Sequence, residues 1–169
     1  MQKSGDQLAS LDGDLSVARL AERRGNLKRA KDLYHAVLEY NPGQALAHHR
    51  LAVIAAEEGQ LEKSLEHFGL AQQNMVVPSS ELLGDLGYVE YLMGNFDAAR
   101  LALEQSLDMD PQNERTLNNL GLVAGMQGKR GESLAYFQQA VGPAEAQACL
   151  LYRSPSPRDA TLSRMPTSA

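Results

Sequence analysis

The sequence lacks the features that are typical of secreted, membrane-spanning or disulfide-stabilised proteins. Its 169 residues include no tryptophan and a single cysteine, so an internal disulfide framework is excluded. No apolar run is long enough for a signal peptide or a membrane span. From these absences we predict a soluble, cytoplasmic protein with no membrane-spanning segment.

Positive charge is scarce as well. The chain has 16 lysine and arginine residues against 21 aspartate and glutamate residues, which gives a net charge of -5. Proteins that follow the phosphate backbone of nucleic acids are usually basic. We therefore predict no nucleic-acid partner.

A unit of about 34 residues repeats along the chain, and it is the clearest pattern in the sequence. Each unit has a large apolar residue followed by a small one, and then a glycine. The pairs are Val17-Ala18, Leu51-Ala52, Leu86-Gly87 and Leu120-Gly121. The glycines are Gly25, Gly59, Gly94 and Gly128. Four copies cover the chain from residue 11 to about residue 142.

The repeated positions predict two antiparallel helices in each unit. A residue with almost no side chain lets a second helix approach closely, and a left-handed glycine lets one helix end and the chain reverse. The second helix has a small residue of its own on the face that packs against the first helix. These small residues are Ala30, Ser64, Ala99 and Ser133. No strand pattern occurs.

This pattern resembles that of the tetratricopeptide repeat family, over about three quarters of the chain. The resemblance implies an all-α fold, a right-handed α-solenoid of antiparallel helix pairs. It departs from the family where tryptophan or another bulky residue is frequent, because the first two repeats have Asp14 and His48 there. We assign a polar N-terminal segment and four repeats, at 1–10, 11–44, 45–79, 80–113 and 114–142.

The same repeated positions predict where the helices begin and end. We expect the first helix to begin near Asp12 or Asp14, after frayed residues at 1–10, and Ser79 or Ser80 to cap the fifth helix. In that first helix, Val17 should face the partner helix. The predicted helices lie at about 14–24, 27–40, 46–58, 61–74, 80–93, 96–109, 114–127 and 130–141.

The repeat pattern stops after Tyr152. Residues 143–152 resemble the truncated first helix of a fifth repeat, whereas 153–169 contain three prolines and no apolar stripe, so we expect disorder there. The last 20 or so residues resemble translated sequencing adapter, which would leave them without a biological role. The alternative is a serine-proline phosphorylation tail around Ser154 and Ser156.

No group of residues indicates catalysis, a metal or a cofactor. His48 and His49 are adjacent, so on one helix their side chains point about 100° apart, and His67 adds no metal-binding spacing. We interpret them as solvated or packing residues. Cys149 has no histidine partner motif that would make it a nucleophile. We therefore predict that the protein is not an enzyme and holds no cofactor.

The remaining candidate site is a surface. In the tetratricopeptide repeat family, one line of residues on the first helices lines a concave groove, and here that line starts at Leu15. Asparagine can hydrogen-bond a peptide backbone, arginine can pair with a carboxylate, and tyrosine offers flat apolar area. The predicted peptide-binding residues are Arg19, His49, Arg50, Tyr88, Tyr91, Arg115, Asn118 and Asn119.

These observations predict a non-catalytic protein-protein interaction scaffold. It would bind an extended peptide or partner segment in the groove, and the arginines favour an acidic or carboxylate-bearing peptide. Two alternatives treat the chain as the repeat segment of a larger bacterial protein. One is a secretion or pilus assembly factor, and the other is an enzyme whose catalytic domain is missing; both rest on analogy of fold.

Overall fold

A computed structural model describes residues 2–142, with side chains from residue 13 onward. Every regular element within that range is a helix, so the all-α prediction is confirmed. The helices are α1 (Gln2–Arg23), α2 (Leu27–Tyr40), α3 (Ala45–Glu57), α4 (Leu61–Gln73), α5 (Ser80–Leu92), α6 (Phe96–Met109), α7 (Glu114–Met126) and α8 (Arg130–Val141). The predictions for 143–152 and 153–169, including Cys149, lie outside the described residues.

The helices pack as consecutive pairs, α1 with α2 through to α7 with α8, and the predicted repeats 2 to 4 each contain one pair. In the first pair, α1 begins before the predicted start of repeat 1. Neighbouring pairs contact each other through α2–α3, α4–α5 and α6–α7. Over the described side chains the buried apolar residues form successive clusters between the helices, not one central core. This is the elongated core of an α-solenoid, in which each repeat is stabilised by its neighbours.

The glycines that end the first helices adopt the left-handed conformation predicted for them. Their φ angles are 74° at Gly25, 75° at Gly59, 81° at Gly94 and 77° at Gly128. The next residue donates a hydrogen bond back across the helix end, as from Asn26 N–H to the Ala21 carbonyl at 3.0 Å. Such an end satisfies carbonyl groups that would otherwise lack donors, and it reverses the chain within few residues.

The small residues of the first helices lie where the second helix approaches. A Cβ atom added to Gly121 would lie 2.6 Å from the Phe137 ring, and one added to Gly87 would lie 2.6 Å from the Leu103 side chain. Both distances are shorter than any ordinary contact. In repeats 3 and 4, only a residue without a side chain therefore fits this spacing between the two helices, whereas repeats 1 and 2 have Ala18 and Ala52 there.

Two of the small residues on the second helices also form hydrogen bonds. Ser133 Oγ donates to the carbonyl of Gly121 at 2.7 Å, and Ser64 Oγ donates to the carbonyl of Ala52 at 2.8 Å. Both serines are buried. Their hydroxyl groups therefore link the two helices of a repeat without adding bulk.

The first helix departs from the prediction in two ways. It begins at Gln2 and not near Asp14, because residues 2–12 contain no proline and an isolated glycine costs a helix only about 1 kcal/mol. Val17 is 44% exposed, whereas the equivalent Leu51 and Leu120 are buried. Those later residues pack against a preceding helix pair, and α1 has none among the described residues.

Side chains cap several helices at their amino ends. Ser79 Oγ accepts a hydrogen bond from the Leu82 N–H at 3.2 Å, so the predicted cap of α5 is confirmed. Asn113 caps α7 in the same way through the Thr116 N–H, at 3.0 Å. These caps begin the first helices of repeats 3 and 4 at defined residues.

Candidate functional site

The first helices of successive repeats form one continuous surface, which we call the inner face. Helix α3 contacts α5, and α5 contacts α7, in addition to the contacts within each pair. Because the first helices approach one another in this way, they lie on the concave side of the solenoid. Polar and aromatic side chains of α3, α5 and α7 are concentrated on this face.

A cavity of about 300 Å³ opens on the inner face between repeats 2 and 3. Most of its lining is apolar. The residues that line it are Val53, Ala56, Glu57, Phe68, Asp85, Tyr88, Val89, Leu92 and Arg115. Val53 and Ala56 occupy the positions that Tyr88 and Tyr91 hold one repeat later. The cavity therefore exists because repeat 2 has small residues where repeat 3 has two tyrosines.

Asp85 is the centre of the polar groups beside this cavity. Its side chain is only 5% exposed, and His49 Nε2 lies 2.9 Å from its Oδ2 atom. Since a carboxylate only accepts hydrogen bonds, His49 donates through an Nε2–H. Arg115, whose side chain is 66% exposed, lies 2.8 Å from the other oxygen. One buried carboxylate thus joins the first helices of repeats 2, 3 and 4.

A second charged network joins repeats 1, 2 and 3. Arg50 forms an ion pair with Glu22 and a longer one, at 3.4 Å, with Glu81. The Tyr34 hydroxyl donates to Glu22 at 2.8 Å. Burial and this hydrogen bond both raise the pKa of Tyr34. Burial opposes the charge of Arg50, but the hydrogen bond and charge of Glu22 outweigh it and raise the pKa of the guanidinium group.

The structure separates the predicted peptide-binding residues into exposed and buried groups. Arg19 and Arg115 are exposed, whereas Arg50 and Asn118 are partly buried. Tyr88 and Tyr91 are partly buried and stack with their ring centroids 6.2 Å apart. The buried members are His49 and Asn119.

Asn119 differs from the other predicted residues because its amide nitrogen lacks a partner. The side chain is 7% exposed, and no described atom accepts a hydrogen bond from Nδ2. Asn119 occupies the position of Asp85 in the next repeat, and Gly84 occupies that of His49. The side chain that would come from the preceding repeat is therefore missing at this junction.

The group around Asp85 contains metal-ligand atoms but is arranged as a hydrogen-bond network. His49, Glu81 and Asp85 each place one such atom within 4.8 Å of the others. Arg50 and Arg115 contact the two carboxylates, and the nearest ring nitrogen of His49 carries a proton. Adjacent guanidinium charges and a protonated ligand both oppose a cation, so we interpret these residues as structural.

Sequence reasoning did not include Asp85, Glu57 and Phe68 among the site residues. The sequence places Asp85 beside the predicted groove line, at the position of Arg50 and Asn119, but the predicted peptide-binding residues did not include it. Phe68 lies on α4, so a search along the first helices alone could not find it. Glu57 lies one position beyond the predicted line, at the end of α3.

Comparison with protein families supports the repeat assignment. A family model described as a tetratricopeptide repeat-like domain matches residues 1–124, and a tetratricopeptide repeat model matches residues 115–142. The chain belongs to the tetratricopeptide repeat family. The resemblance inferred from the columns is therefore confirmed, and the fold is that of other tetratricopeptide repeat proteins.

One curated relative is the type IV pilus assembly protein PilF of Pseudomonas aeruginosa. It is 29% identical over 123 residues, which make up 70% of this chain and 48% of PilF. The chain thus spans about half the length of that relative. A solved structure of P. aeruginosa PilF has a TM-score of 0.72 at 25% identity, and the match covers 85% of this chain and 68% of that one.

More distant tetratricopeptide repeat structures show the same fold. YrrB, described as having an unusual peptide-binding site, has a TM-score of 0.71 at 17% identity, covering 89% of this chain and 77% of its own. MamA from Desulfovibrio magneticus RS-1 has a TM-score of 0.69 at 14% identity, covering 81% and 77%. At these identities the likeness concerns the fold alone.

The membrane prediction can be compared with the helices directly. Over residues 2–142, none of them combines the length and the apolar character that a bilayer-spanning helix needs.

Proposed function

We propose that this tetratricopeptide repeat protein is a non-catalytic scaffold that binds an extended segment of a partner protein along its inner face. The observation that carries the proposal is the cavity between repeats 2 and 3. It combines apolar walls with a few polar groups, which is the usual composition of a recognition site. The buried polar groups around it bond to one another, so they act as a rigid frame and not as reactants.

The proposal is tested by truncating the two tyrosines of the inner face, and circular dichroism checks the fold because Tyr91 also packs against an apolar cluster. The protein is immobilised and used to capture partners from a lysate of its source cells, and the Tyr88→Ala/Tyr91→Ala variant is compared with the parent. We expect the captured partners to be lost, because aromatic anchors supply much of the retention energy in interfaces. The control is Tyr40→Ala, which truncates a tyrosine that is 79% exposed on an outer helix. Equal capture by both folded variants would exclude the inner face.

The charge preference of the groove needs a separate assessment. Arg50 and Arg115 suggested an acidic ligand when the sequence alone was considered. Each guanidinium group already contacts a carboxylate of this chain. An acidic ligand would have to displace these carboxylates. The two arginines therefore attract it less strongly than two unpaired cations would.

A second candidate function is suggested by the relationship to PilF. We propose that the protein takes part in assembling a pilus, as a scaffold that joins two components of the machinery. The supporting observation is the similarity that extends over 70% of this chain. Deleting the gene in the source organism should reduce surface pili, counted by electron microscopy. Unchanged piliation, with the deletion confirmed, would remove this candidate and leave the scaffold proposal intact.

The cellular location of the protein bears on whether it is a cytoplasmic scaffold or a pilus assembly factor. The cytoplasmic location remains a prediction from the sequence, and fractionation of source cells with an antibody against the chain would test it. A scaffold that acts in the cytoplasm should be recovered with the cytoplasmic fraction. Recovery with the envelope fraction would refute the prediction and strengthen the pilus candidate.

A further inference from the structure

We propose that the cavity between repeats 2 and 3 selects a bulky apolar side chain that is flanked by lysine or arginine in the bound segment. This inference rests on the proposed function, since it names the chemistry of the segment that the inner face takes. It reverses the charge preference that the arginines suggest in the sequence.

The apolar part of the proposal follows from the size and walls of the cavity. Its volume of about 300 Å³ is at the lower limit of small-molecule pockets, so it suits one large side chain. Val53 and Ala56 of α3 line it together with Val89 and Leu92 of α5. A polar side chain would lose its hydration there without gaining partners, because most wall atoms cannot form hydrogen bonds.

The basic part of the proposal follows from the charges at the rim. Glu57, Asp85 and Arg115 line the cavity, and beside them Arg50 forms ion pairs with Glu22 and Glu81. Four carboxylates therefore accompany two guanidinium groups. Arg115 is already held by the buried Asp85, whereas Glu57 is exposed and has no described partner. The rim therefore has a surplus negative charge next to the apolar cavity. A lysine or arginine beside the apolar anchor would neutralise it.

A selection from random peptides tests the proposal directly, because it does not require the natural partner to be identified first. A random peptide library displayed on phage is selected on the full chain. We expect the enriched peptides to share a phenylalanine, leucine, isoleucine or methionine next to a lysine or arginine. Enriched peptides that lack the apolar residue, or that carry aspartate or glutamate beside it, would overturn the proposal.

Filling the cavity shows whether it is the site of the apolar anchor. Ala56→Tyr places a tyrosine where the next repeat already has Tyr91, so the fold should accommodate it. It should weaken binding of the selected peptides by about 10- to 100-fold, the effect of losing one buried apolar side chain. The control, Ala36→Tyr, makes the same change at an exposed position of α2 and should leave affinity unchanged. Unchanged affinity in folded Ala56→Tyr would overturn the proposal.

Reversing the rim charge tests the basic neighbour independently. Glu57→Lys should lower affinity for lysine-flanked peptides and raise it for matched glutamate-flanked peptides, and added salt should reduce both effects. The control, Glu39→Lys, makes the same change in net charge at an exposed position of α2. It should change the affinity for neither kind of peptide. If Glu57→Lys behaves like its control, the charge part is wrong.

The outcomes separate this inference from the proposed function. Selected peptides that lose binding in Tyr88→Ala/Tyr91→Ala but show no anchor or basic neighbour would leave the inner face as the binding surface and refute only the inference. Failure to enrich any peptide, or peptides that bind every inner-face variant equally, would count against both.

Discussion

Between repeats 2 and 3 a buried carboxylate meets a buried histidine, whereas between repeats 3 and 4 the buried polar contact joins hydroxyl groups. The carboxylate of Asp85 also reaches repeat 4, but its partner there, Arg115, is exposed. At the first junction, Asp85 accepts from His49 at 2.9 Å across the two repeats. At the second junction, Ser106 Oγ lies 3.0 Å from Thr116 Oγ1 and donates to the Ser80 carbonyl at 2.8 Å. Equivalent helices meet at both junctions, so the difference lies in the side chains.

The consequence of the difference is seen at Gly84 and Asn119. Gly84 allows close approach at the second junction, since an added Cβ would lie 3.2 Å from Thr116 Oγ1. It also supplies no side chain to Asn119, whose Nδ2 is buried and has no acceptor among the described residues. One junction thus has a satisfied charged network beside the inner-face cavity. The other has a close contact at Gly84 and one donor, Asn119 Nδ2, that has no described acceptor. A repeat fold can therefore place a cavity at one junction and a close contact at the next.

The largest expected effect comes from replacing the buried carboxylate. Asp85→Leu should lower the free energy of unfolding by about 2 to 4 kcal/mol, because it removes the acceptor of buried His49. The loss is below that of a fully buried ion pair because Arg115 can return to solvent. Urea unfolding followed by circular dichroism measures it. A change below about 1 kcal/mol would show that the charged network contributes little to this junction.

The next largest effect concerns a packing contact that repeats 3 and 4 share. Gly87→Leu and Gly121→Leu should each destabilise the protein by about 1 to 3 kcal/mol through overpacking, despite the better helix propensity of leucine. The added side chains would collide with Leu103 and Phe137 respectively. Similar losses in thermal unfolding would show that the packing within repeats 3 and 4 is equivalent, which leaves the contrast to the side chains at the junctions. A stabilised variant would mean that the helices of that pair can move apart.

Asn119→Leu should change the free energy of unfolding in the opposite direction to Asp85→Leu, although the two residues occupy equivalent positions. It removes a buried donor that has no acceptor, so we expect stabilisation by about 1 kcal/mol. The two variants are compared in the same urea titration. Destabilisation by Asn119→Leu would show that its amide nitrogen is hydrogen-bonded in solution, and the contrast between the junctions would then be smaller.

Acid should produce the smallest effect, and it should act on the first half of the solenoid. All four histidines lie in repeats 1 and 2. His67 Nδ1 lies 3.1 Å from His48 Nδ1, and His48 Nε2 lies 2.9 Å from the Pro42 carbonyl. Burial lowers the pKa of His67, and the charges of His48, His35 and Lys63 lower it further, against the opposing charge of Glu66.

The sign of this effect follows from proton binding. Because the folded protein binds a proton at His67 less readily than the unfolded chain, its contribution to stability is complete above the unfolded pKa of about 6.5. That contribution falls as the pH decreases toward the lower folded pKa. Hydrogen exchange near pH 7.5 and near pH 5.5 should show greater loss of protection in α3 and α4 than in α7 and α8. Equal loss in both halves would contradict the prediction.

Most of the fold could be predicted because the residue type at each repeated position has a direct steric cause. Gly121 and Gly128 stand where a side chain or a right-handed backbone would not fit, and such positions are visible in the sequence. The first helix was predicted less well, because Val17 resembles the inward residues of later repeats although no described helix pair covers it.

The candidate site was less predictable because burial and pairing depend on neighbouring repeats. His49 was expected on the groove surface, yet it is buried against Asp85, which lies 36 positions later in the chain. The periodicity places both residues on the first helices but does not state which side chains meet. The cavity likewise depends on the small size of Ala56 beside the larger residues of the next repeat.

The hydrogen bonds from serine hydroxyl groups to carbonyl groups affect how the helix pairs can open. Ser64 and Ser133 make equivalent bonds in repeats 2 and 4, whereas repeats 1 and 3 have Ala30 and Ala99 there. Separating the two helices of repeat 2 or repeat 4 must therefore break a buried hydrogen bond as well as apolar contacts. At the equivalent position of repeats 1 and 3, the same opening breaks apolar contacts alone.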